Sequence, residues 1–267
     1  MGEVRQLVKE CTGACVLTDA ARYTSFAETV DPASTVAFIN RYLEVLFGPV
    51  FDNGGFVSDV KGDSMLAVWA DDSPARELRA RVCRACLSIA DAAARFGASL
   101  PGRGFATRIG AYFGPLALAS VGAFSHYEYR AVGDTVNTSS RLQDLNKELG
   151  TRVLVSASLA EGLGEFLFRD LGSFELRGKR NRVHVFELLA AREAATLRER
   201  RLCEEFSAAL AAYQGGRWPQ AHRLLRDLCA RYPGDGPSRY YLQRCGQATA
   251  VDLSRQASAP LSLAAGF

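Results

Sequence analysis

The sequence predicts an α+β fold: a ferredoxin-like βαββαβ domain with extra C-terminal strands, followed by a small α-helical hairpin. Two observations carry this prediction. Short apolar runs alternate with two long segments whose apolar residues recur at helical spacing, and glycine-containing turns separate these segments. The length of 267 residues, 48% of them hydrophobic, is enough for one large core and an appendage.

The first six predicted elements follow the order strand, helix, strand, strand, helix, strand. This order is typical of a split βαβ arrangement in which helices cover one face of an antiparallel sheet. Turn signals stand at Gly54-Gly55, Gly62-Asp63 and Gly114-Pro115. The predicted elements are a strand at 14–18, a helix opened by Asp31-Pro32, strands at 56–61 and 64–70, a helix over roughly 74–96, and strands at 107–113 and 116–121.

A second set of elements extends this domain to residue 190, so that it covers residues 1–190. The set consists of a strand at 129–132, a helix at 135–149 and strands near 152–156, 168–176 and 183–188. Residues 191–204 are charged and helix-favouring and predict a helical connector. Residues 205–250 resemble a tetratricopeptide-type helical hairpin, which cannot bury its apolar face alone. The Ser-, Ala- and Pro-rich tail 251–267 is predicted to be disordered.

Charge and cysteine content exclude several classes of function. The net charge of +3, from 32 basic and 29 acidic residues, is too balanced for bulk binding of nucleic acid, so no nucleic acid is expected as a partner. Cys83 and Cys86 form a CxxC, but it lies in a predicted helix without suitably spaced histidines, which argues against zinc. The odd count of seven cysteines predicts reduced thiols. With no signal peptide and no long apolar run, we expect a cytoplasmic chain without a membrane segment.

Two aspartates, at a strand end and at a hairpin tip, are candidate metal ligands. Asp19 follows an apolar strand and Asp63 occupies the tip of a hairpin, and these two positions lie side by side in a split βαβ sheet. Two Mg²⁺ ions about 3.5–4 Å apart would bridge the carboxylates and clamp a triphosphate. Taken singly, Asp19 also fits a helix cap and Asp63 a turn residue. Backbone N–H groups after Asp19, at a helix start, suit the β- and γ-phosphates; they include those of Ala21, Arg22, Tyr23 and Thr24.

Three stretches, in this order, resemble the motifs of class III nucleotidyl cyclases, the family of adenylate and guanylate cyclase catalytic domains. They are VLTDAARYTSFAE, FVSDVKGDSMLAVWA and YRAVGDTVNTSSRL, of which GDTVNTSSRL is the most specific. The resemblance covers roughly residues 12–190. It implies a palm-like cyclase domain that converts a nucleoside triphosphate into a 3′,5′-cyclic monophosphate and pyrophosphate. It also implies that Asp19, Ala20 and Asp63 bind two Mg²⁺ ions, for which Mn²⁺ can substitute.

The same resemblance implies further site residues and a partner. Asn137 and Arg141 match the residues that stabilise the transition state, and their i, i+4 spacing places them on one helix face. Arg177, in ELRGKR, falls where the family usually has a lysine that contacts the phosphates; a solvated strand charge explains it equally well. In the family one subunit supplies the metal aspartates and the other the Asn–Arg pair, so a single domain implies a symmetric homodimer. Family members often carry an upstream sensor domain, sometimes membrane-embedded, which would be another partner and would make this chain the cytosolic part of a membrane-anchored sensor.

Two positions that select the base in the family are unusual in this chain. Asp59 stands where adenylate cyclases usually have lysine and guanylate cyclases glutamate, and Arg130 where they have aspartate, threonine or a small residue. A carboxylate matches the N1–H and N2–H donors of guanine, and a guanidinium matches its O6 and N7 acceptors, which favours GTP. Asp59 could instead pair with Lys61 or Arg130, which leaves ATP or a pyrimidine triphosphate open.

A non-catalytic interpretation is that a degenerate cyclase domain acts as a nucleotide-binding or dimerisation module. Its signature would be the loss of a metal aspartate, the asparagine or the arginine. All four residues are present, so the sequence favours an enzyme.

Overall fold

The computed structural model of the protein describes residues 8–21, 23, 28–100, 106–123 and 126–257. The chain divides into two compact units, residues 1–199 and 200–267. The first unit combines a mixed sheet with helices, which confirms the predicted α+β class, and the second unit is helical. Within the described ranges no helix is both long enough and apolar enough to cross a membrane.

One eight-stranded sheet forms the centre of the first unit. Its strands are β1 (Val8–Ala20), β2 (Phe56–Lys61), β3 (Ser64–Trp69), β4 (Thr107–Ala123), β5 (His126–Val132), β6 (Val153–Ser156), β7 (Phe166–Phe174) and β8 (Val183–Ala191). They are ordered β2-β3-β1-β4-β6-β8-β7, and β5 pairs with β4 outside this path. The pairs are antiparallel except β4 with β6. The first four strands thus have the arrangement predicted from the βαββαβ order.

Helices cover both faces of this sheet. They are α1 (Pro32–Asp52), α2 (Ala75–Ala98), α3 (Asp134–Leu149) and the short α4 (Ala157–Ala160). Ile109 and Ala111 of β4 belong to the core cluster formed with α1 and α2. Gly110 between them faces the other way, because neighbouring strand residues alternate, and a Cβ placed there would lie 2.3 Å from the carbonyl oxygen of Ser139 on α3. The helices predicted within the βαββαβ order, α1 and α2, therefore share one face of the sheet, and α3, from the second set of elements, covers the other.

The predicted turn at Gly114-Pro115 is absent, and β4 runs through it without a break. Gly114 pairs with Gly13 and Pro115 with Thr12 on β1. On its other side β4 pairs with β6 at residues 109–111 and with β5 at residues 117–123. Pro115 lies in the gap between these two partners, where a residue without an N–H is tolerated. The two predicted strands are therefore one long strand.

The second unit contains three helices instead of the predicted two-helix hairpin. They are α5 (Leu197–Gln214), which begins at the unit boundary, α6 (Trp218–Arg231) and α7 (Gly236–Ala257). The rings of Phe206 and Tyr241 lie 5.9 Å apart and join α5 to α7. Glu205 Oε1 and Arg231 Nη1, 2.5 Å apart, join α5 to α6. The resemblance to a tetratricopeptide repeat stays a prediction.

Two segment boundaries differ from the predicted ones. The connector predicted at 191–204 is not separate, because β8 ends at Ala191 and α5 begins at Leu197. A capping box starts α5: the Thr196 hydroxyl accepts the N–H of Glu199 at 3.2 Å, and the Glu199 carboxylate accepts the N–H of Thr196 at 2.8 Å. Helix α7 continues through residues 251–257, which were predicted to be disordered. Residues 258–267 of that tail lie outside the described residues.

Candidate active site

The β2–β3 hairpin is fastened to the end of β1, and this places Asp63 beside Asp19. The Asp63 carboxylate accepts a hydrogen bond from the N–H of Ala20 at 2.8 Å. The Ser64 hydroxyl donates to the carbonyl oxygen of Thr18 at 2.5 Å. Both contacts join residues that are more than forty positions apart in the chain. The structure therefore brings the two predicted metal carboxylates together.

This pair of carboxylates is electrostatically unfavourable by itself. Burial raises the pKa of the Asp63 carboxyl; the charge of Asp19 adds to the rise, while backbone hydrogen bonds and the charge of Lys147 oppose it. Burial also raises the pKa of Tyr23, and the charge of Asp63 adds to that rise. A partly desolvated carboxylate next to a second one is stabilised by cations, so the site is suited to bind them.

Two cationic side chains that the sequence analysis missed contact Asp19. Arg108 Nη1 lies 3.1 Å from Asp19 Oδ2, and Lys147 Nζ lies 3.8 Å from the same oxygen. Arg108 stands opposite Asp19 in the register of β1 and β4, and Lys147 comes from the last turn of α3. No local motif marks either residue, because the contacts depend on strand register and helix packing.

The donor set around Asp19 and Asp63 fits a hard divalent cation. It offers two carboxylates, and the carbonyl of Ala20 is the further ligand that the resemblance implies. Mg²⁺ is usually held by one or two carboxylates together with water and substrate phosphates. In the part of the chain that the structure describes, no group of three or more His, Cys, Asp or Glu side chains could hold a metal ion. Water or the oxygens of a bound phosphate would therefore complete the coordination of a cation at this site.

Asn137 lies in the first turn of α3, away from the aspartates of the same chain, and Arg141 lies at the middle of this helix. Lys147, which contacts Asp19, follows Asn137 by ten residues, or about 15 Å along a helix axis at roughly 1.5 Å per residue. Asn137 is exposed and Arg141 is half-buried. A Cβ placed on Gly178 would lie 3.2 Å from Arg141 Nη2, so this guanidinium faces the loop between β7 and β8. Within one chain the structure does not join the Asn–Arg pair to the aspartates.

The loop between β7 and β8 is held against α3 by an ion pair. Lys179 Nζ pairs with Asp134 Oδ2 at the start of α3. The same ammonium lies 5.3 Å from the centroid of the Tyr112 ring, a cation–π geometry. Arg177, the residue predicted to contact phosphates, is exposed. Of these two cations, Lys179 is engaged within the chain and Arg177 is open to solvent.

The backbone N–H groups predicted to hold phosphates are only partly described. The N–H of Ala21 donates to the carbonyl oxygen of Ala106 at 2.8 Å. It is therefore not free for a phosphate, contrary to the prediction for Ala21. Tyr23 is half-buried and packs against the core cluster of α1 and α2. The contributions predicted for Arg22 and Thr24 lie outside the described residues.

The two base-selecting positions form an ion pair. Asp59 Oδ1 accepts a hydrogen bond from Arg130 Nη2 at 3.2 Å, and Arg130 Nη2 also lies 2.5 Å from Glu128 Oε2. The N–H of Ala131 donates to the Ser58 hydroxyl at 2.9 Å, which holds β2 next to β5. The side chains of Asp59 and Arg130 are 33% and 38% exposed, so a ligand can still reach both. Of the two pairings that the sequence left open for Asp59, the structure contains the one with Arg130.

The sheet order and the paired aspartates define an α+β nucleotide cyclase domain. Residues 8–189 match the profile of the family described as Adenylate and Guanylate cyclase catalytic domain. This chain belongs to that family, as its three motifs predicted.

Curated relatives of the chain include adenylate cyclases. Adenylate cyclase 1 of Rhizobium meliloti (strain 1021) is 30% identical over 190 residues, which cover 69% of this chain and 28% of that protein. The terminal-differentiation specific adenylate cyclase of Dictyostelium discoideum is 26% identical over 240 residues, which cover 86% of this chain and 11% of that protein. The chain thus spans less than a third of the length of either relative.

Solved structures of cyclases share the fold. The adenylyl cyclase CyaB from P. aeruginosa superposes with a TM-score of 0.61 at 18% identity, over 71% of this chain and 100% of that one. The guanylate cyclase domain of RhGC from Catenaria anguillulae, solved in complex with GTP, gives a TM-score of 0.59 at 20% identity, over 69% and 100%. At these identities the likeness concerns the fold alone.

Proposed function

We propose that this chain is a class III nucleotidyl cyclase that forms a 3′,5′-cyclic nucleotide and pyrophosphate in a homodimer. The observation that carries the proposal is the division of the site along α3. Asp19 and Asp63 lie together near the C-terminal end of α3, whereas Asn137 lies in its first turn and Arg141 at its middle, with the guanidinium towards the loop between β7 and β8. Membership of the cyclase family supports the reaction.

The reaction joins the ribose 3′ oxygen to the α-phosphorus and breaks the bond from that phosphorus to the oxygen that leaves with pyrophosphate; the 3′-hydroxyl proton is released. Two Mg²⁺ ions, or Mn²⁺ ions, held by Asp19, Asp63 and the Ala20 carbonyl would neutralise the triphosphate and favour ionisation of the 3′-hydroxyl. Asn137 orients the ribose, and Arg141 stabilises the charge that develops on the five-coordinate phosphorus. Arg177 is the proposed contact to the leaving phosphates.

A homodimer explains how two half-sites on one chain become a complete site. With a two-fold axis, the aspartates of one protomer face the Asn–Arg pair of the other, and two equal sites form. Exposed apolar side chains support such an interface. Val121 and Val132, on one face of the β4–β5 pair, are 44% and 38% exposed, and Tyr129, on the other face, is 50% exposed; exposed apolar groups near a site are compatible with an interaction surface.

The Asp59–Arg130 pair favours GTP as the substrate. Asp59 can accept from N1–H and N2–H of guanine while Arg130 donates to O6 or N7. Adenine would place its N1 acceptor against the carboxylate and leave it unpaired, which is unfavourable. A base can displace this ion pair, since pairs on a protein surface contribute only about 0–1 kcal/mol. ATP is the second candidate, because the relatives described above are named adenylate cyclases.

The test is to incubate the purified protein with each of the four common nucleoside triphosphates and Mg²⁺ or Mn²⁺, and to identify products by mass spectrometry. We expect cyclic GMP from GTP, and no product from an Asp19→Ala variant under the same conditions. Turnover of ATP without turnover of GTP would refute the base assignment alone. If no triphosphate gives a cyclic product, the proposed activity is wrong and the domain acts as a binding or dimerisation module.

A further inference from the structure

The last turn of α3 brings a lysine to the predicted metal aspartates. Lys147 Nζ lies 3.8 Å from Asp19 Oδ2 and 2.9 Å from Asp144 Oδ1. The Lys147 side chain is 47% exposed, so a ligand can reach it as well. Only four of the 32 basic residues in this chain are lysines. Most basic residues of this sequence are arginines, so a lysine at this position is unusual; its ammonium is a compact charge on a flexible side chain.

The backbone that carries Lys147 is fixed by close packing. Helix α3 approaches β4 so closely that a Cβ placed on Gly110 would lie 2.1 Å from the backbone nitrogen of Gln143. The buried amide of Asn146, the residue before Lys147, donates to the carbonyl oxygen of Ile109 at 3.0 Å. The helix then ends at Gly150 in the left-handed conformation, with φ of 67°. The backbone of Lys147 is thus held beside the end of β1, and only its side chain is free to move.

The charges around Lys147 differ between the free and the substrate-bound site. In the free site Lys147 and Arg108 are the positive charges on Asp19. Divalent cations bound to Asp19 and Asp63 would repel the ammonium, and the triphosphate that binds with them brings negative charge to the same place. The flexible stem of a lysine allows the ammonium to turn from a carboxylate to a phosphate.

We propose that Lys147 binds the triphosphate of the substrate, and then the pyrophosphate product, from the same protomer that supplies Asp19 and Asp63. This inference rests on the proposed function, since it concerns the same site. Asp144, which stands one helical turn before Lys147, holds the ammonium when no ligand is bound. Arg177 and Lys147 would then contact the phosphates from opposite protomers.

The experiment measures binding instead of turnover. A 3′-deoxynucleoside triphosphate of the preferred base has no 3′-hydroxyl and cannot be cyclised, so its Kd in the presence of Mg²⁺ can be measured by calorimetry. We expect Lys147→Ala to raise this Kd by about three- to tenfold, the scale of one partly exposed charge pair. The Kd of the corresponding 3′-deoxynucleoside monophosphate should not change. Lys147→Arg should keep most of the affinity, because the charge remains.

A matched control is Lys9→Ala, which removes an exposed lysine from the beginning of β1 and should leave both Kd values unchanged. Thermal unfolding of each variant checks that the fold is intact. The inference is overturned if Lys147→Ala binds the triphosphate as the wild type does, or binds it more tightly, as expected if Lys147 only competed with the cations. The proposed function fails separately, if the wild type binds the triphosphate but never forms a cyclic product from the natural nucleotide.

Discussion

At the scale of single residues, the half-buried carboxylate of Asp63 suits the site for cations but lowers the stability of the metal-free fold. Burial raises the pKa of its carboxyl above the usual 3.8, so the folded state binds the proton more tightly than the unfolded chain does. The free energy of unfolding therefore falls as the pH rises from 3.8 through the raised pKa, and it stays lower at neutral pH. The metal-free protein thus carries a cost at pH 7 that cations would offset.

We expect Asp63→Asn to raise the Tm of the metal-free protein at pH 7, because the amide keeps the hydrogen bond from Ala20 without the buried charge. The gain should shrink as the pH is lowered towards 3.8, where the wild-type carboxyl is protonated as well. Turnover should fall by on the order of 10²-fold or more, since the amide is a poor cation ligand. Thermal unfolding with a chelator present and a cyclic-nucleotide assay measure both effects. A lower Tm for the variant at pH 7 would contradict this account.

The pair Asp59 and Arg130 supports a prediction about the choice of base. Asp59→Lys combined with Arg130→Thr should shift the ratio of kcat/KM for ATP over GTP upwards by about tenfold or more, as one recognition contact is exchanged. The control is Asp59→Glu, which keeps the carboxylate and should keep the preference. Competition assays with both nucleotides give the ratio. An unchanged ratio in the double variant would mean that these residues do not read the base.

Sequence patterns revealed the residues whose position follows from local order, and missed those placed by packing. Asp19 and Asp63 were found because one ends a strand and the other sits in a hairpin turn, and such ends meet in a split βαβ sheet. Arg108 and Lys147 were missed because they reach Asp19 through strand register and through the contact between α3 and β4. The ion pair of Asp59 with Arg130 was one of two open alternatives, since it depends on how β2 lies against β5.

At the scale of elements, the close contact between α3 and β4 depends on one glycine. The three atoms nearest to a Cβ on Gly110 would all be backbone atoms of α3, among them Gln143 N at 2.1 Å and Ser139 O at 2.3 Å. We expect Gly110→Ala to lower the free energy of unfolding by about 1–3 kcal/mol or more and to lower turnover too, because α3 carries Asn137 and Arg141. Gly246→Ala is the control: it lies inside α7, no proline follows it, and apart from its chain neighbours and its own helix backbone no atom lies within 4 Å of the added Cβ, so a gain of up to about 1 kcal/mol is expected. If chemical denaturation gives Gly110→Ala the same free energy of unfolding as the wild type, the packing argument is refuted.

The long strand β4 shows what local turn signals miss. Gly114-Pro115 has the composition of a turn, yet pairing with β1 continues through both residues. Glycine and proline indicate only a local preference for a turn. The β4 strand from Thr107 to Ala119 forms because it pairs with β1 along its whole length. The start of α5 is the opposite case, because Thr196 and Glu199 have the sequence spacing of a capping box, which the connector prediction for 191–204 did not use.

At the scale of the whole molecule, the account depends on two half-sites that only a second protomer can unite. Asp19 and Asp63 form one half, and Asn137 and Arg141 form the other. A variant that lacks one half and a variant that lacks the other should each be inactive. Mixed dimers of the two contain one damaged site and one intact site.

The most direct test mixes Asp19→Ala and Arg141→Ala protomers in equal amounts and measures the cyclic nucleotide formed. Random pairing gives half mixed dimers with one intact site each, so activity should return to about one quarter of the wild-type value. A mixture of Asp19→Ala with Asp63→Ala damages the same half in both protomers and should recover nothing. If the wild type is active and the first mixture stays as inactive as its components, the site is not shared between protomers and the account is wrong.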